Sequence, residues 1–325
     1  MSSITRIKIP IPFPIASVNI YFIEDSIPTL IDAGLNSEEG LSVVKKALWE
    51  KGIRLSDIRR VLLTHGHLDH VGLAGKIQES GGAEVFIHSW DRGKCIHNGR
   101  IYSEEKKPFF FRFFREGGAS NEMAEGIFSE MNARFGSYYP ADFTVQDLEA
   151  NETIFFDDFG LEVIHCPGHT RGSVCFLDRE NKRFFSGDHL LENITSNPVV
   201  ELETRGNGTG FKSLLCYLTS LCFTENLDIK EVLPGHGPSF YQHRKRINQI
   251  KKHHRERGEE IRCVLKDFPD GINLFAITMI LFPGIKGGDI FLGMSEIVGH
   301  LEILEENGFV TSRMVGDQRI YQSGN

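Results

Sequence analysis

Five histidines and two aspartates stand at spacings that suit metal binding. They lie in Thr64-His65-Gly66-His67-Leu68-Asp69-His70, then Pro167-Gly168-His169-Thr170, Ser186-Gly187-Asp188 and Pro234-Gly235-His236-Gly237. Imidazole nitrogens and carboxylate oxygens are the donors that zinc and related first-row ions take. Taken singly, Gly-Asp and Pro-Gly-His are ordinary turn sequences. The compact segment from His65 to His70 is rare by chance, and the other three follow it in order. A carboxylate can share its two oxygens between two cations, and a pair of ions with open positions can hold and activate water.

In order and spacing these segments resemble the metallo-β-lactamase superfamily, whose site uses an H-x-H-x-D-H loop, a later His, an Asp and a final His. All seven positions are filled here. The resemblance covers residues 1–240 and implies an αββα sandwich with ligands on loops along one edge. It implies that His65, His67 and His169 bind one divalent ion, that Asp69, His70 and His236 bind a second, and that Asp188 bridges them. Zinc is the expected metal, with iron or manganese as alternatives, and Asp69 and Asp188 are the expected catalytic carboxylates. Asp32, in Asp32-Ala33-Gly34, matches the aspartate that supports the histidine loop from behind in this family; such partners orient ligands and raise their basicity.

The elements that must position these residues are legible in part. Ile4–Ile9, Val18–Ile23, Thr29–Ile31 and Val61–Leu63 have the composition of strands, and the last runs into the histidine loop. Asn36-Ser37-Glu38-Glu39 opens an amphipathic helix through Leu41, Val44, Leu48 and Trp49. A second half has strands at Ile154–Phe156, Leu161–Ile164, Val174–Leu177, Arg183–Phe185 and Glu231–Leu233, with a helix from Phe211 to Leu221. Gly66, Gly168, Gly187, Gly235 and Gly237 flank the ligands and permit tight turns.

Between the halves, residues 91–151 read as a helical, aromatic-rich insertion. It contains five phenylalanines in Pro108–Arg115, then a helix with Met123, Ile127, Phe128, Met131 and Phe135 at three- and four-residue steps. These aromatics either pack the insertion or form a lid lining an acyl pocket. Residues 241–325 form a separate tail: a basic helix with an apolar seam of Ile247, Ile250, Ile261, Val264 and Leu265, helices around 273–281 and 295–306, and a terminal hairpin. This resembles the winged-helix tail of the glyoxalase-II-like and β-lactamase-like-2 branch, which implies a wall of the cleft or a subunit contact in a homo-oligomer.

Charge weighs on the substrate class. The tail holds twelve Lys/Arg against eleven Asp/Glu, while the whole chain is at −8. Phosphate binding calls for a concentrated basic surface, so nucleic acid is the lesser partner and a metal-dependent endoribonuclease the alternative reading. A non-hydrolytic metal protein or a DNA binder would not need all seven positions. The expected reaction is attack of a metal-bridging hydroxide on a carbonyl, in a thioester, ester or lactone with an apolar acyl part. Tyr138, Tyr139, Arg205 and Lys212 are the candidate substrate residues. No apolar run reaches the roughly 18 residues of a membrane span, and the first residues lack a secretory pattern. Six scattered cysteines without a C-x-x-C pair read as free thiols, and the expected location is the cytoplasm. The other eight histidines read as structural; of these, His189 is the one placed to approach the site.

Overall fold

The computed structural model describes residues 3–95, 103–203 and 210–324. The chain divides into two compact units. One comprises Met1–Arg100, Ser137–Ser196 and Ser220–Arg246; the other comprises Ile101–Gly136, Asn197–Thr219 and Ile247–Asn325.

The first unit carries two sheets. Six strands pair in the order β1 (Ser3–Pro10), β2 (Ser17–Glu24), β3 (Thr29–Ile31), β4 (Arg60–Leu62), β5 (Glu84–Ile87) and β6 (Gln146–Asp147). The second sheet runs β11 (Glu231–Pro234), β10 (Arg183–Gly187), β9 (Val174–Asp178), β8 (Gly160–His165) and β7 (Thr153–Phe155). Side chains from both meet in one apolar layer: Tyr21, Ile23, Ile31 and Leu62 from the first, Leu161, Val163, Phe176 and Phe185 from the second. The other face of the first sheet is covered by α1 (Glu38–Trp49) and α3 (Ala74–Gly81), through Val44, Leu48, Ala74 and Ile77. The Ser37 hydroxyl caps α1 by accepting from the Gly40 amide. Trp49 departs from the expected seam, being 72% exposed. It is the last residue of the helix, where the buried stripe has rotated away.

The second unit has its own core. Helices α5 (Lys107–Glu116) and α6 (Asn121–Phe135) pack with α8 (His243–Asp267), α9 (Leu274–Leu281) and α10 (Asp289–Glu306). Phe110, Phe113 and Phe114 are buried, and all three rings lie within 6.5 Å of Phe291 on α10. The compact units therefore cut across the expected boundary at residue 240: helices α5 and α6 share a core with the tail. Those three rings are committed to that core. The tail is a long helix, a short strand β12 (Ile272–Asn273), two helices, and a hairpin of β13 (Val310–Val315) and β14 (Gln318–Ser323), with sheet order β12-β14-β13. Helix α10 begins six residues before the expected Ser295, which is buried inside it. Among the described residues no helix is long and apolar enough to cross a membrane.

Candidate metal centre

Strand direction explains why distant segments converge. In the second sheet β8 and β10 are each antiparallel to β9, and β11 is parallel to β10. The three therefore end at the same edge, and His169, Asp188 and His236 sit on the loops that follow those ends. From the first sheet, β4 continues through Leu63 and Thr64 into His65, and the Thr64 carbonyl accepts from the Val174 amide (2.8 Å). His67 is the N-cap of a single helical turn, α2 (Leu68–Val71), which presents Asp69 and His70 together. The loops approach closely enough to require glycine at 235: a Cβ there would lie 2.7 Å from Asp188 Oδ1 and 2.8 Å from His70 Cε1.

All seven expected ligands come together, in three overlapping sets whose donor atoms lie within 4.8 Å of one another: His65 with His67 and His169, His65 with His70 and Asp188, and Asp69 with His70 and His236. His67 Nδ1 faces His169 Nε2 at 2.9 Å. Asp188 Oδ1 lies 3.4 Å from His70 Nε2 and 3.5 Å from His236 Nε2, while its Oδ2 lies 3.5 Å from His169 Nε2. Asp69 Oδ2 is 3.3 Å from His236 Nε2 and 4.0 Å from His70 Nε2.

The outer nitrogens are held from behind. Asp32 Oδ2 pairs with His70 Nδ1 at 2.8 Å, and its Oδ1 accepts from the Thr64 amide at 2.8 Å. The Ser17 carbonyl accepts from His236 Nδ1 (2.6 Å), and Ser196 Oγ pairs with His169 Nδ1 (2.8 Å). Each contact fixes a ring so that its other nitrogen points inward. Asn19 and Tyr21 brace the last loop by donating to the Pro234 carbonyl at 2.9 and 2.8 Å.

The electrostatics divide the cluster. Burial, with His70 and His67 adding to it, pushes His65 well below the usual imidazole range. Burial and His169 bring His67 to about 3. Burial also opposes charge on His70, yet Asp32, Asp188 and Asp69 outweigh it and hold that imidazole well above its ordinary value. For His236 burial is likewise overcome, chiefly by Asp188, and the value rises to about 10. Burial works against ionised Asp69, but His70 and His236 draw it down to about 2. Protons on His70 and His236 thus take the place of positive charge that the carboxylates demand. His65 Nε2 is buried with no hydrogen-bond partner among the described residues, as is His70 Nε2. Inner nitrogens that are buried, orphaned and flanked by carboxylates fit divalent ions in place of those protons.

The other sequence candidates are placed differently. Tyr139 is buried and its carbonyl accepts from Asn36 (2.7 Å); Tyr138 packs edge-on against Phe13, with ring centroids 6.2 Å apart. Lys212 forms an ion pair with Glu306. Arg205 and His97 lie outside the described residues. His189 pairs through Nε2 with Thr224 Oγ1 at 2.9 Å. The sequence reading missed Asp91, a fully buried carboxylate beside the His65–His67 segment. Nothing in His88-Ser89-Trp90-Asp91 signals its role, because its partners are far away in the chain.

A family model described as the metallo-beta-lactamase superfamily matches residues 14–236. The probable metallo-hydrolase YqjP of Bacillus subtilis is 30% identical over 97% of this chain and 96% of its own length. The hydroxyacylglutathione hydrolase GloC of Haemophilus influenzae is 30% identical over 42% of this chain and 51% of its own. The crystal structure of TTHA1429, a metallo-beta-lactamase family protein from Thermus thermophilus, superposes with a TM-score of 0.81 at 25% identity, over 98% of each chain.

Proposed function

Because the chain belongs to the metallo-β-lactamase superfamily, we propose that it is a dinuclear metal-dependent hydrolase of acyl compounds, thioesters first, then esters or lactones. Asp188 carries this reading: its two oxygens face opposite members of the cluster, so one carboxylate addresses both donor groups. His65, His67 and His169 would hold one ion, and Asp69, His70 and His236 the other. Zinc suits this donor set, and iron or manganese accept it as well. Bound there, two ions would supply Lewis acidity to a carbonyl oxygen and lower the pKa of water toward about 7.

The chain's own residues have separate tasks. Asp32 accepts a hydrogen bond from His70 Nδ1, and the Ser17 carbonyl accepts one from His236 Nδ1, which leaves each Nε2 turned inward. Asp69 and Asp188 give the centre the negative charge that bound cations would neutralise. A thioester leaving group needs little help from a proton donor, since a thiolate is the base of an acid of pKa about 8.5. GloC, similar over part of the chain, is named for hydroxyacylglutathione, which is a thioester.

We read the tail as a winged helix, supported by its helix order and the three-stranded sheet β12-β14-β13. The six cysteines, all unpaired, support a reducing, cytoplasmic setting. With Phe110, Phe113 and Phe114 in the core, an apolar acyl part loses its main support, so chain length is a variable of the test. Metal content would be measured first, then initial rates on short and long acyl-thioesters, lactones and a short RNA. Two ions per chain and thioester turnover are expected. Cleavage of RNA with no acyl turnover, falling steeply with salt, would instead establish the endoribonuclease.

A further inference from the structure

Asp91 lies on the short helix α4 (Ser89–Cys95), is fully buried, and accepts four hydrogen bonds. Oδ2 takes the Gly66 amide at 2.8 Å and the Thr170 hydroxyl at 2.6 Å. Oδ1 takes the Gly172 amide at 3.0 Å and Lys94 Nζ at 2.8 Å. Gly66 separates His65 from His67, and Thr170 follows His169. One oxygen atom therefore ties together the two loops that carry the three-imidazole group. The packing is correspondingly tight: a Cβ on Gly172 would lie 2.8 Å from the Asp91 Cγ, and one on Gly66 would lie 2.6 Å from the Lys94 Cβ.

Asp32 is the counterpart, since it bonds Thr64 and His70 and so backs the other group. We infer that Asp91 is a positioning residue for the ion held by His65, His67 and His169, setting the distance between the two loops without touching the ion. This rests on the dinuclear reading above. Lys94 neutralises the carboxylate's charge, so its effect is geometric: removing the tie lets the loops part, and the three nitrogens lose their common focus.

The test compares the full-length protein with Asp91→Asn, Thr170→Val and Thr170→Ser. Cadmium binding is followed by chelator competition, with cadmium NMR separating the three-imidazole site from the carboxylate-bearing one. Melting of the metal-free protein is the control for folding. The expected result is about 10- to 100-fold weaker binding at the three-imidazole site in Asp91→Asn and Thr170→Val, with the other site changed less than about threefold. Thr170→Ser, which keeps the hydroxyl, restores binding. Unchanged affinity in both variants would overturn the inference. Equal losses at both sites that track a lower melting temperature would do so too, by making Asp91 a structural residue only. A parent protein that binds no pair of ions would bring down the dinuclear reading as well, an outcome distinct from two ions held equally well by parent and variants.

Discussion

Buried histidines occur in both units, and they are buried for different reasons. In the first, His65, His70 and His236 turn their inner nitrogens toward one another and toward Asp69 and Asp188. In the second, His254 and His300 are as well hidden, at 5% and 4% exposure, but spend their polarity on each other. His300 Nδ1 donates to the Glu296 carbonyl (2.8 Å), which leaves Nε2 to accept from His254 Nδ1 (3.2 Å). Burial dominates both and lowers them, His254 to about 3 and His300 to about 4; the charges that add to it, Arg257 and His253, are cationic. At the candidate metal centre burial is just as deep, and it lowers His65 and His67 in the same way, yet carboxylates raise His70 and His236. Depth of burial therefore does not separate the two clusters. The carboxylates among the imidazoles do.

The largest effect that tests this contrast is at the shared carboxylate. Asp188→Ala should cost about 10²–10³-fold in turnover, the scale for losing a main electrostatic group of a transition state. It should also lower metal content, measured on the folded variant. His300→Gln, in the other cluster, should leave metal content unchanged. If both variants retain a full complement of metal, the distinction between the clusters fails.

Asp32→Asn comes next. An amide at that position cannot both accept from Thr64 and take the His70 proton as a carboxylate does. Metal affinity at the group of Asp69, His70 and His236 should fall about 10- to 100-fold, read by chelator competition. An undiminished affinity would show that His70 is oriented by packing alone.

Acid sharpens the contrast from the other side. Because His254 and His300 titrate lower in the folded chain than the unfolded value of about 6.5, the unfolded state binds more protons between those values. Their contribution is thus complete above pH 6.5 and is lost as pH falls from there toward about 4 and then about 3. Urea unfolding of metal-free protein at neutral and acid pH should show a few kcal/mol of difference attributable to the pair. The slope should shrink in His254→Leu. An unaltered slope in that variant would mean the pair is not what acid attacks.

Legibility in the sequence followed distance along the chain. His65, His67, Asp69 and His70 were readable because their geometry is local: a strand end followed by one helical turn. His169, Asp188 and His236 were readable only in company, since each follows a strand that ends at the same edge. Asp91 was invisible, because the groups it joins lie 25 and 79 residues away and leave no spacing. The insertion's apolar stripe announced a buried face but could not name its partner, which proved to be the tail helices. The helix expected around 295–306 starts earlier, at Asp289; Ser295 is buried inside it, and its hydroxyl accepts from the Val200 amide at 2.7 Å. Side-chain type alone nominated Lys212 for substrate, and type alone does not determine place.

Lys212 supplies the smallest prediction. Its ammonium pairs with Glu306, and the two side chains are 40% and 41% exposed. Water screens such a pair, so Lys212→Ala should change stability by no more than about 0.2–1 kcal/mol, a shift measurable by urea titration. Because that ammonium is already paired, KM for an acyl-thioester should not move. A large rise in KM with unchanged stability would show that Lys212 exchanges Glu306 for substrate.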